Sequence, residues 1–114
     1  MANTFRLINN AIMPSSSGTP DALYTAGSGK TTVILGLTLA NVHTSQVTAS
    51  VTVIDSSNSD ETSHIIKDVP LPVGSSIEIM SGNKIVVEAG DSVKVDCSVA
   101  DKVSATMSIM EIDV

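Results

Sequence analysis

TTVILGLTLANV, residues 31–42, alternates large aliphatic side chains with smaller or more polar ones. Val33, Leu35, Leu37 and Leu39 take the odd positions; Thr32, Ile34, Gly36, Thr38 and Ala40 take the even ones. A period of two over this length specifies a strand with one buried face. The β-branched residues at both ends, and Gly36 in the middle, weigh against a helix. The stretch is predicted to be the central strand of a sheet, odd positions inward. The other strands then read as partners for its aliphatic face.

Upstream, ALYTA (22–26) is a short strand, and Gly27–Lys30 turns it into the central one. Residues 3–13 alternate imperfectly through Phe5, Leu7, Ile8 and Ile12, as a first strand or an extended arm. PSSSGTPD (14–21) then carries a loop signature of two prolines and a glycine. Downstream, His43–Gln46 turns into a strand over 47–55. It has Val47, Ala49, Val51 and Val53 on one face and Thr48, Ser50 and Thr52 on the other. DSSNSDETS (55–63) is a polar loop. In HIIKDVPLPV (64–73), Ile65, Lys67 and Val69 share a face. Pro70 and Pro72 end that strand or set it at a sheet edge, because proline donates nothing to a ladder.

Four more strands follow. Residues 76–80 turn Ile77 and Ile79 inward and Glu78 outward, and a tight turn is expected at Ser81–Lys84. Residues 84–89 carry Ile85 and Val87. Residues 92–99 set Val93, Val95, Cys97 and Val99 opposite Lys94 and Asp96. Residues 103–112 present Val103, Ala105, Met107 and Ile109. Seven to nine strands, with no helical period, make an all-β chain: an antiparallel β-sandwich or jelly roll. Residues 1–114 read as one domain, with 1–21 an N-terminal strand or arm plus the Pro/Ser loop. Aromatics are 2% of the chain, so Val, Ile, Leu and Met must fill the core. Leu35, Leu37, Val51, Val53, Val95 and Met107 are expected to share it.

Composition excludes several functions. Cys97 is the only cysteine, which leaves no intrachain disulfide and no multi-cysteine metal site. No apolar run approaches the ~20 residues of a membrane-spanning helix. MANTFRLINN lacks the apolar core of a signal peptide, so no export is expected. A net charge of −6, six scattered basic residues, one Phe and one Tyr oppose nucleic-acid binding. That function calls for a basic face with stacking aromatics.

GSGKTT (27–32) looks like the tail of a phosphate-binding loop. The full motif needs a glycine where Tyr24 stands, and a helix where a strand follows. The loop Asp55, Ser56, Ser57, Asn58, Ser59, Asp60 and Glu61 offers oxygens to a hard cation, without the acid spacing and glycine of a helix-loop-helix calcium site. His43 and His64 lack evident co-ligands. Cys97 lies on an aliphatic face, as an inert thiol does. Glu78, Glu88 and Asp96 point outward on neighbouring strands, but a glycosidase pair would be accompanied by aromatic sugar platforms. The expectation is a non-enzyme with no cofactor, no metal and no small-molecule substrate.

Charged residues are 16% of the chain, against about 25% in ordinary soluble domains. The even positions of the central strand (Ile34, Gly36, Thr38, Ala40, Val42) carry no charge. Neither do Thr48, Ser50, Thr52 and Ile54, or Ser104, Thr106, Ser108 and Met110. Bare uncharged strands invite association. This face is therefore predicted to be a subunit interface, with Ile34, Gly36, Thr38, Ala40, Thr48, Ser50 and Thr52 at its centre. The partner is the chain itself, most simply in a homotrimer, or a larger protein.

MANTF (1–5), GKTTVILGLTLAN (29–41), IIKDVPLPVGSSIEI (65–79) and EAGDSVKV (88–95) occur in an order that resembles small virion proteins of tailed bacteriophages. Those of marine bacteria and cyanobacteria come closest. Residues 9–21 match poorly. The resemblance implies an all-β structural protein, made in the host cytoplasm and assembled with other virion proteins as a capsid decoration, collar or tail component. It brings no catalytic residues. A receptor- or carbohydrate-binding module of a tail fibre is the alternative of the same fold class. It would need exposed aromatics or a calcium site.

Overall fold

The computed structural model describes residues 3–80 and 84–113. Nine strands follow in order: β1 (Asn3–Met13), β2 (Asp21–Thr25), β3 (Lys30–Asn41), β4 (Val47–Asp55), β5 (Glu61–Leu71), β6 (Ser76–Glu78), β7 (Ile85–Glu88), β8 (Ser92–Cys97) and β9 (Val103–Asp113). A helical turn over Ser56–Asn58, capped by Asp55, joins β4 to β5. The 3–13 segment is a strand of the sheet, not a free arm. Ser81, Gly82 and Asn83, where a tight turn was expected, lie outside the described residues.

All pairings are antiparallel. One sheet runs β1-β9-β3, with β6 and β7 sharing the far side of β3; the other runs β2-β8-β4-β5. If β6 and β7 are counted as one interrupted strand, the pairs β4·β5, β3·β6/β7, β2·β8 and β1·β9 nest as rungs of one long hairpin. Rolling that hairpin lays β9 on β3 and β8 on β4, which closes a jelly-roll sandwich.

The core lies between the sheets, and period-two alternation sets most of it. Val103, Ala105, Met107 and Ile109 of β9 are buried, as are Val93, Val95 and Cys97 of β8 and Val47, Ala49 and Val51 of β4. Val53 packs against this core from a partly buried position.

β3 departs from its expected phase. Its register with β9 shifts between Ile34 and Gly36, so Leu35 is an extra residue. A bulge of this kind moves every later side chain to the other face. Thr32 and Ile34 therefore point inward before it, and Leu37, Leu39 and Asn41 after it. Val33 and Leu35, expected inside, are half-buried and do not join the core cluster.

Glu78 holds the backbone at this point. Its Oε1 accepts from Leu37 N at 3.1 Å and its Oε2 from the Thr38 hydroxyl at 2.9 Å. Leu37 lies between the β7 and β6 ladders of β3, and Thr38 is the first β3 residue of the β6 ladder. β5 departs too. Two register breaks against β4 put Ile66 opposite Val51 and Val69 opposite Ala49, and Lys67 is exposed. Ile65, Lys67 and Val69 thus do not share one regular face. Pro70 falls on the edge strand, where its missing donor costs no ladder bond.

The bulge yields a test in the isolated subunit. Ile34→Ala and Leu37→Ala are both expected to cost ~2–5 kcal/mol, as buried large-to-small changes do. Leu35→Ala, which lies between them, should cost about 1 kcal/mol or less. Chemical denaturation measures all three. A loss at Leu35 equal to that at Leu37 would place the bulge elsewhere.

Candidate assembly surface

The outer face of the β1-β9-β3-β7/β6 sheet forms in-register rows. Phe5 lies opposite Met110, Met110 opposite Val33, and Val33 opposite Val86. Four apolar side chains thus cross four strands in one line. Phe5 is 71% exposed and Val86 57%. The next row holds Leu7, Ser108 and Gly36, with the bulged Leu35 beside it, and Leu7 is 63% exposed. Beyond it come Asn9, Thr106 and Thr38, then Ser104 and Ala40. On β1, β9 and β3 this face carries no charge. Glu78 and Glu88 stand only at the β6/β7 rim.

The opposite outer face differs. Lys94 lies across from Thr52, Asp96 from Ser50, and His64 from Thr52 on the other side. Asp68 accepts from the Ser50 hydroxyl at 3.3 Å.

The seven residues expected at one interface therefore divide. Gly36, Thr38 and Ala40 lie on the uncharged face of the first sheet. Thr48, Ser50 and Thr52 lie on β4, in the other sheet, on its charged face. Alternation along a strand distinguishes its two faces but not the sheet it joins. Ile34 is a correction: the bulge turns it into the core, where it is fully buried. Phe5, Leu7, Val33 and Val86, absent from the expected set, form the apolar centre of the uncharged face. The exposed odd phase of β1 was the available signal.

The remaining sequence candidates are dispersed. Glu78 and Glu88 pair with β3 at Thr38 and Thr31, roughly 23 Å apart at ~3.3 Å per residue. Asp96 belongs to the other sheet. Gly27–Gly29 connects the two sheets rather than closing a hairpin, and Lys30 forms an ion pair with Asp113 on β9. Asp55 caps the helical turn through Ser57 N at 3.2 Å. His43 N donates to Asn41 Oδ1 in the β3–β4 connection. Cys97 is a buried free thiol. Among the described residues, no group of three or more His, Cys, Asp or Glu converges on a metal position.

A buried polar cluster fixes the Phe5 end of β1. The Tyr24 hydroxyl, reaching across from β2, donates to Glu111 Oε2 at 2.6 Å and lies 2.8 Å from Thr32 Oγ1. Arg6 of β1 donates to the same Glu111 oxygen at 3.0 Å. The Tyr24 hydrogen bond holds the Glu111 carboxyl below the ordinary carboxylate range, against the opposing effect of burial, and Arg6 adds to it. Burial, then the Glu111 hydrogen bond, push the Tyr24 hydroxyl up. Asp91 makes a second such knot. Burial raises its pKa, but hydrogen bonds from Glu88 N and from Ser56 N and Oγ outweigh this and lower it. Both clusters escaped the sequence reading. Glu111 was within reach, since it continues the inward odd phase of β9.

No family model matches the chain, and no curated protein matches it in sequence. Among solved structures it is similar to a chain of the T13 IBDV viral particle (9% identity, TM-score 0.56), covering 96% of this chain and 30% of that one. It is similar also to a chain of the Bacillus endospore appendages, a family of disulfide-linked pili (13% identity, TM-score 0.51), covering 99% and 88%. A chain of the Helicobacter pylori bacteriophage KHP30 capsid gives 15% identity and TM-score 0.49 over 99% and 98%. At these identities the likeness is one of fold.

The Glu111 cluster predicts an acid response. A carboxyl whose pKa falls on folding adds stability above its unfolded pKa of about 4.3 and loses it as pH falls through the folded value. Tyr24→Phe removes the main donor and should cost about 1–3 kcal/mol at pH 7. Glu111→Gln should melt below the wild type at pH 7, with the gap narrowing below about pH 4. Melting curves from pH 7 to pH 3 measure this. A gap that widens in acid would contradict the assigned hydrogen bonding.

Proposed function

We propose that this chain is a non-enzymatic structural protein of a bacteriophage virion. In this reading it assembles on the particle surface as a capsid decoration or a neck or tail component, through the uncharged outer face of its first sheet. One observation carries the reading: of two outer faces in the same sandwich, one bears Lys94, Asp96, His64 and Asp68, and the other is an apolar line edged by Ser, Thr and Asn, with Glu78 and Glu88 only at its β6/β7 rim. A contiguous exposed apolar patch of this kind marks an interaction surface.

Its size fits. Eleven residues of β9 at ~3.4 Å each, across four strands ~4.8 Å apart, give roughly 700 Å². Each partner in a standard interface commits about 800 Å². Small residues at Gly36, Ala40 and Ser108 let another surface approach closely. A second copy is the simplest partner, most simply within a homotrimer, and another virion protein is the other. The likeness of fold to chains of a viral particle and a pilus agrees with an assembling role, as does the order of sequence blocks resembling phage virion proteins.

The test joins location to chemistry. In purified particles, hundreds of copies mean a capsid decoration and a multiple of six or twelve means neck or tail; absence from the particle rejects the reading. Thr38 already donates to Glu78, so Ser108, exposed at the centre of the face, is the cleaner probe. Ser108→Glu should weaken assembly by about 3–5 kcal/mol, the cost of an unpaired buried charge. Its melting temperature as an isolated subunit should stay near wild type. Light scattering after chromatography reads the assembly. An unchanged assembly in Ser108→Glu rejects the face.

A further inference from the structure

Three of the four sheet edges carry features that discourage strand addition. The β5 edge has Pro70 and two register breaks, with Asp68 at φ 49°. The β6/β7 edge is made of two strands of three and four residues. The β2 edge is five residues long, with a break at Leu23. β1 is eleven residues long, and its one register break falls after Asn10. Its register with β9 is unbroken from Asn3 to Asn10, and it holds no proline and one charged residue, Arg6. Phe5 and Leu7, on its outward side, are the most exposed large apolar residues among those described.

We infer that β1 is the edge at which a second copy of this chain adds, β1 against β1, antiparallel about a two-fold axis at Leu7. The edges themselves choose the occupant. A long ladder needs an unbroken edge on both sides, and among the described residues of a second copy only the Asn3–Asn10 stretch of β1 supplies one. Charge agrees. The chain has net charge −6, yet β1 contains no acidic residue, whereas β2, β5, β6 and β7 each contain at least one. Two β1 edges therefore meet with no carboxylate of their own between them.

The same residues choose the register. Directly paired residues share a face, so Phe5 and Leu7 stay on the outer face when the axis passes through a residue. An axis at Arg6 sets like charges opposite each other, which destabilises a pair. An axis at Phe5 or Ile8 shortens the unbroken overlap to Asn3–Leu7 or Arg6–Asn10. An axis at Leu7 keeps Thr4–Asn10 in the ladder, sets Leu7 against its own copy and Phe5 against Asn9 of the other. The apolar contact across the join is then Leu7 against Leu7, and the Phe5–Met110–Val33–Val86 line of each copy runs into the Asn9–Thr106–Thr38 row of the other. This pairing rests on the assembly reading only in requiring self-association. It uses the backbone edge of the sheet, and the face remains free for another partner.

Cys97 is buried, so one introduced cysteine reports on its own position. Under copper–phenanthroline oxidation, Leu7→Cys is expected to give a disulfide-linked dimer. Asn9→Cys is expected to stay monomeric, because its two copies would lie about 14 Å apart along the ladder, beyond disulfide reach. Val86→Cys, on the far side of the same face, should stay monomeric too. Hydrogen exchange gives a second readout on the wild type. Raising the concentration should slow exchange in the Asn3–Met13 peptide and leave the already paired β9 unchanged. Crosslinking at Val86→Cys without Leu7→Cys, or self-association with no added protection in β1, overturns the edge pairing and leaves the face reading intact. Crosslinking at Leu7→Cys that survives Ser108→Glu sustains the edge, which does not use the face. A wild type that stays monomeric at millimolar concentration overturns the inference.

Discussion

The Glu78 carboxylate on the backbone of β3 is the contact from which the arrangement of the first sheet follows. It accepts from Leu37 N, between the β7 and β6 ladders, and from the Thr38 hydroxyl, where the β6 ladder begins. An unpaired backbone donor is costly to hold away from water. With the carboxylate in place, the strand tolerates the extra residue at Leu35, and the inward phase changes from even to odd. That change sends Ile34 and Leu37, three residues apart, into one core. It also leaves Val33 and Leu35 outside, where they join Phe5, Met110 and Val86. The apolar outer face and the packed interior are two products of one bulge.

The core itself is aliphatic, with Tyr24 as its only aromatic side chain among the described residues. Tyr24 carries its hydroxyl to the rim, where Glu111, Thr32 and Arg6 meet it. β1, β2, β3 and β9 are thereby tied at one point, across both sheets. A buried carboxylate is costly unless hydrogen-bonded, and here each donor comes from a different strand. The cluster rewards only the correct alignment of all of them.

Much of the fold was legible in the residues. The inward phases of β4, β8 and β9 follow directly from their alternation, and the Pro/Ser loop and the edge position of Pro70 from proline's missing donor. The bulge at Leu35 was not legible, because nothing local to TTVILGLTLANV marks it; it is defined by how β9 and Glu78 meet the strand. The candidate assembly surface was half legible. The uncharged positions of β3 and β9 do lie together, but Thr48, Ser50 and Thr52 belong to the other sheet. Sheet membership is a property of long-range pairing. Phe5 and Leu7 were visible as an imperfect alternation whose outward phase carried the larger side chains.

The rolled hairpin has a consequence for how the chain comes to be folded. Its innermost pair, β4·β5, is local, while its outermost, β1·β9, joins residues 105 apart, as at Arg6 and Glu111. Topologies dominated by such distant pairings fold slowly, in milliseconds to seconds. During synthesis at roughly 5–20 residues per second, β1 waits on the order of 5–20 s before its partner strand exists. Through that interval Phe5, Leu7 and both edges of β1 remain uncovered on the ribosome. The edge strand proposed to pair is therefore also the one exposed longest on the nascent chain, so on that proposal the first encounter of two copies would compete in time with the completion of each.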